Sequence, residues 1–120
     1  MRYILQCNRY TPIKIIQDCL RFLSVKQYLL LQILCFIFKA SNNLFPVYIS
    51  NKLTKVNNLH EHDTRNSTKF YVKKVNKQST KKSIFYDGVV LYNNIPINIR
   101  QAQKLASFKQ LVIPYIRENY

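Results

Sequence analysis

VKQYLLLQILCFIF, residues Val25–Phe38, is the stretch whose reading decides the fold. It is too long for one strand and is apolar nearly all round a helical wheel, which predicts a helix enclosed by other elements. Lys26, Gln27 and Gln32 interrupt it. Its uninterrupted runs therefore fall far below the roughly 20 apolar residues that a bilayer span needs, and no membrane span is expected. The stretch also starts too late, and lacks a small-residue cleavage site, for a secretory signal. Ser24 stands where it can cap this helix, and Ser41-Asn42-Asn43 supplies the stop after Ala40.

Working outward, Thr11-Pro12 reads as the start of a preceding helix, with Thr11 as cap and Pro12 in the first helical position. Ile13, Ile16, Leu20 and Leu23 recur at helical spacing and gather on one face, while Lys14, Gln17, Asp18 and Arg21 fall elsewhere. Pro46 opens a short helix to about Leu53. From Thr54 the chain becomes polar and loop-like. Between Arg65 and Lys82 it carries Arg65, Lys69, Lys73, Lys74, Lys77, Lys81 and Lys82 with no acid among them. Phe70, Tyr71, Val72 and Val75 are interleaved, Lys77-Gln78-Ser79-Thr80 is turn-like, and Ser83–Tyr86 can return as a partner strand, so a basic β-hairpin is predicted. Ile95 precedes Pro96 and marks a boundary. Leu105, Phe108, Leu111, Val112, Tyr115 and Ile116 fit a closing amphipathic helix, which Pro114 is expected to kink or end. The predicted fold is mainly α with a small β-hairpin. It forms a single domain over residues 1–120, with a helical part (1–53), a loop and basic hairpin (54–100) and a C-terminal helix (101–120).

Composition narrows the function. Hydrophobic residues make up 48% and charged residues 20%, which excludes the low-hydrophobicity regime of disordered chains. Gly88 is the one glycine, so glycine-built phosphate loops are excluded. Nineteen Lys and Arg against 5 acids give a net charge of +14, which attracts polyanions through counterion release. Abundant Asn, Ile, Lys and Tyr, all with AT-rich codons, make nucleotide bias a competing source of the lysine excess.

Cys7, Cys19 and Cys35 match no metal-ligand spacing, and Cys19 and Cys35 sit among apolar residues. They read as buried, inert free thiols of an intracellular reducing compartment, cytoplasm or nucleus. His60 and His62, flanked by Glu61 and Asp63, have no third ligand nearby, so neither a metal nor another cofactor is predicted.

The basic hairpin is the best binding candidate. Its cations neutralise phosphates, and Phe70 and Tyr71 can stack on unpaired bases. The competing reading is a solvated charged face with both aromatics buried beneath it. The segment Leu91-Tyr92-Asn93-x-Ile95-Pro96 reads as structural, with Leu91 and Ile95 packing and Asn93 capping or closing a turn.

Several segments stand in a distinctive order: His60-x-His62-x-Thr64-Arg65-Asn66, then Phe70-Tyr71-Val72, then Lys82-Ser83-x-Phe85-Tyr86-x-Gly88-Val89-x-Leu91-Tyr92-Asn93-x-Ile95-Pro96-x-x-Ile99-Arg100, then Phe108-Lys109. Upstream lie Tyr10-Thr11-Pro12, Leu20-x-Phe22-Leu23 and Val25-Lys26-Gln27-Tyr28. The order, over residues 3–118, resembles the region after the catalytic palm in arthropod-type, jockey-like non-LTR retrotransposon reverse transcriptases. It departs from that pattern at Phe22 and Tyr92, where relatives often carry tryptophan.

The resemblance implies a piece of an RNA-directed DNA polymerase that contacts template RNA or target DNA beside the active site and packs on the palm. Two-metal nucleotidyl transfer needs several carboxylates clamped together, whereas Asp18, Asp63 and Asp87 are isolated here. These 120 residues are therefore expected to catalyse nothing. The alternatives are a protein-interaction or oligomerisation module, a peripheral membrane protein, and a transposon relic without function.

Overall fold

The computed structural model describes residues 2–59, 61–62 and 64–120. Helices dominate: α1 (Arg2–Leu5), α2 (Ile13–Leu20), α3 (Val25–Ser41), α4 (Val47–Ser50), α5 (Gln78–Lys81), α6 (Val89–Asn94), α7 (Ile97–Arg100) and α8 (Leu105–Asn119). A 3-10 turn occupies Val56–Asn58, and a π-turn at Ile84–Gly88 runs straight into α6. The mainly helical expectation holds.

The scaffold is α3 packed on α8, with the π-turn and α6 closing a third side. Ser24 and Gln27 form a reciprocal capping box: the Ser24 hydroxyl accepts from Gln27 N–H at 3.3 Å, and Ser24 N–H donates to Gln27 Oε1 at 3.0 Å. At the other end Ser41 Oγ and Asn42 Nδ2 both donate to the Phe38 carbonyl at 2.9 Å, and Asn43 adopts a left-handed φ of 55°. The core is aromatic at its centre. Phe38 stacks on Phe108 with centroids 4.4 Å apart, and Tyr92 links that pair to Phe70. A second cluster lies on another face of α3, where Phe36 meets Phe45 and Phe85.

Four expectations need correction. The basic hairpin does not form: among the described residues there is no strand, only one isolated antiparallel bridge between Lys55 and Phe70. Lys77-Gln78-Ser79-Thr80 leads into the short helix α5, and Ser83–Tyr86 leads into the π-turn. Ile84, Gly88, Tyr92 and Ile95 recur at helical spacing, and burial against α3 outweighs their β-leaning neighbours.

Thr11 does not cap α2; Pro12 occupies the N-cap position and no side chain caps there. Cys19 is exposed and Cys7 half-exposed, so only Cys35 is a buried thiol. The helix over 25–38 is enclosed only from Leu31 onward, because Val25, Tyr28 and Leu29 face outward. Pro114 does not end α8, which continues to Asn119. Pro114 and Gln110 are both exposed, so the carbonyl deprived of its partner meets water while Phe108, Val112 and Ile116 hold both halves on α3.

Candidate nucleic-acid interface

The segment proposed to bind phosphates hangs on a narrow neck. Thr54–Val56 runs beside Lys69–Tyr71: Val56 N–H donates to Lys69 O at 2.9 Å and Tyr71 N–H to Thr54 O at 2.7 Å. Asn93 then locks the neck to α6. Its Oδ1 accepts from Phe70 N–H at 3.0 Å while its Nδ2 donates to Phe70 O at 2.9 Å, so one carboxamide satisfies both backbone polar groups of one residue. Arg100 adds a second clamp, donating from Nε to Ile95 O at 3.0 Å and from Nη1 to Thr68 O at 3.4 Å. The turn-closing reading of Asn93 thus becomes a long-range tie. Nothing in its local sequence could have named Phe70 as the partner.

The neck divides the candidate residues. Phe70 is 6% exposed and packs edge-tilted on Tyr92, so it belongs to the core and offers no face to a base. Tyr71, next along an extended segment, is 50% exposed. Alternation of side chains along extended chain accounts for the split. Arg65, Lys73, Lys74, Lys77 and Lys82 are exposed, and Lys69 and Lys81 are half-buried. All seven cations retain access to water on a surface segment that carries no acid. His60 and Asp63 lie outside the described residues, and Glu61 and His62 are exposed. Among the described residues no three metal-ligating side chains converge.

Two further lysines sit over aromatic rings: Lys52 Nζ is 5.0 Å from the Phe85 centroid and Lys39 Nζ 5.9 Å from that of Phe45. Burial pushes the thiol of Cys35 and the phenol of Tyr92 up from their ordinary values, opposed for Cys35 by Lys109 and Lys39 and for Tyr92 by a hydrogen bond with Ser41 and the charge of Arg100. Both groups are therefore neutral packing residues at neutral pH. Among the described residues no single helix is long and apolar enough to cross a membrane; α2 and α3 reach that length only as a pair bent by 46°. No protein-family model, curated protein or solved structure compared with the chain matches it.

Proposed function

We propose that this chain is a non-catalytic, nucleic-acid-contacting segment of a non-LTR retrotransposon reverse transcriptase, gripping template RNA or target DNA beside a palm that it does not itself contain. One observation carries the reading: seven cations and one exposed tyrosine lie within an acid-free surface segment, residues 65–82, tied to the core at its start. Such a segment tracks a phosphate backbone and offers Tyr71 to an unpaired base, with little sequence preference. The dispersed acids, none beside another in sequence, support the non-catalytic part of the reading.

Single-stranded RNA binding measured against salt tests it. Neutralising Lys73, Lys74, Lys81 and Lys82 together should weaken binding and lower the log–log salt slope by about 0.7 for each phosphate left without its cation. Unaltered affinity and slope in that quadruple variant remove the segment from the mechanism. A reading frame encoding a polymerase palm upstream of Met1 in genomic sequence tests the kinship, and unrelated sequence there overturns it.

A second reading has its own observation. The α2–α3 corner leaves Ile13, Phe22, Val25 and Leu29 uncovered, Val25 at 77% exposure, and an apolar groove of about 490 Å³ runs between this corner and Ile113 on α8. That face suits a protein neighbour, the palm or a second copy. Salt-insensitive, concentration-dependent sedimentation separates self-association from the electrostatic reading.

A further inference from the structure

The neck that holds the basic segment also walls an open cleft of about 480 Å³, between residues 55–58, residues 67–70, the C-terminal end of α3 and α7. This falls within the roughly 300–1,000 Å³ usual for small-molecule sites. No acidic side chain among the described residues lines it, whereas Lys55 and Arg100 do. Arg100 is oriented by two backbone carbonyls, Ile95 O and Thr68 O, not by a carboxylate. Neutral partners fix the guanidinium plane while leaving its charge unneutralised, which is the condition for an anion receptor.

The remaining wall narrows the anion. Asn57, Asn58 and Gln101 present carboxamides, each able to donate and accept. Inorganic phosphate draws mainly on donors, whereas the edge of a nucleobase matches donors and acceptors side by side. Phe70 and Tyr92 close the cleft from beneath as nearly buried core residues. We infer that this cleft binds a nucleoside phosphate, with Lys55 and Arg100 on the phosphate and the carboxamides on the base edge. The cleft shares Ser67, Thr68 and Phe70 with the segment 65–82 but none of that segment's seven cations, so its charge comes from Lys55 and Arg100.

Calorimetric titration of the full chain with the four nucleoside monophosphates, inorganic phosphate, the corresponding nucleosides and a single-stranded RNA oligomer tests this. At least one monophosphate should bind tenfold or more tighter than phosphate or its own nucleoside. Lys55→Glu should cost tenfold or more without lowering the melting temperature, since Lys55 is exposed. Paired Asn58→Ala and Gln101→Ala should erase the preference over inorganic phosphate while leaving phosphate binding intact. Arg100→Lys keeps the charge and loses the fork, and should weaken monophosphate and inorganic phosphate alike.

Equal binding of phosphate and monophosphate, indifference to Lys55→Glu, or no monophosphate binding at millimolar concentration overturns the inference. Competition between monophosphate and oligomer identifies the ligand as one unit of a strand; independent binding identifies it as a free nucleotide, and the inference stands in both cases. Neutralising Lys73, Lys74, Lys81 and Lys82 leaves monophosphate binding intact, so failure of this site and failure of the basic segment are separable.

Discussion

At the scale of single residues, Asn93 connects most of the structure to the candidate interface. Its carboxamide satisfies the N–H and the C=O of Phe70 across 23 residues of sequence. Asn93→Ala strands both groups beside the core, and a buried unsatisfied polar group costs about 1–3 kcal/mol. Denaturant unfolding should show that loss, and hydrogen exchange should show residues 54–71 losing protection ahead of α3 and α8. Unchanged exchange in the loop would mean that the bridge at Lys55 and the Arg100 clamp suffice. Cys35 and Tyr92 lead the alkaline pH dependence, and burial shifts Tyr115 the same way. Burial raises both pKa values in the folded chain, so the unfolded chain ionises them first. Their contribution to stability is whole below the ordinary values of 9.0 and 10.0 and is lost as pH climbs through the folded values. Melting temperature, measured with reductant present, should be level near neutrality and fall above about pH 9, and Tyr92→Phe with Cys35→Ala should flatten that decline.

At the scale of elements, the packing of α3 against the π-turn depends on a missing side chain. Gly88 has ordinary right-handed dihedrals, φ −61° and ψ −39°, so conformational freedom is not its reason. A Cβ there would sit 2.9 Å from Ile33 Cγ2 and 3.3 Å from Ile37 Cγ1. Both neighbours are β-branched and stiff in a helix, so they cannot swing aside cheaply. Gly88→Ala should destabilise the fold by about 1–3 kcal/mol by overpacking, read by chemical denaturation, whereas the same change at an exposed helical site would stabilise it. The element boundaries of α3 were readable from Ser24, Gln27 and Ser41-Asn42-Asn43, because caps are local chemistry. The hairpin does not form because β-leaning composition between residues 70 and 86 describes side chains able to pack, and their partners are helical: Phe70 packs on Tyr92 of α6, and the π-turn packs on α3.

At the scale of the whole molecule, shape and charge act together. The radius of gyration is 17.6 Å with extents of 60 × 34 × 28 Å, against about 14 Å for a compact globule of this length. The excess lies with α1 and α2, which extend from the α3–α8 scaffold with most of their apolar residues uncovered. A net charge of +14 on so small a body opposes its own compaction. Melting temperature should therefore rise as salt is raised from about 10 mM to 150 mM, over which the screening length falls from about 30 Å to 8 Å. A melting temperature flat across that range would show the lysines too dispersed to strain the fold.

Local order determined what the sequence could declare alone: capping chemistry and an apolar run for α3, helical periodicity for α8, the surplus of cations, and the acid-free run from Arg65 to Lys82. These depend on residues within a turn or two of one another, so spacing suffices to read them. Tertiary structure decided which side of each element is covered. It buried Phe70 and exposed Tyr71, turned Asn93 from a turn residue into a tie, left Cys19 in water, and joined Lys55 to Arg100 around one cleft. Burial is a relation between segments far apart in the chain, and spacing along one segment cannot express it.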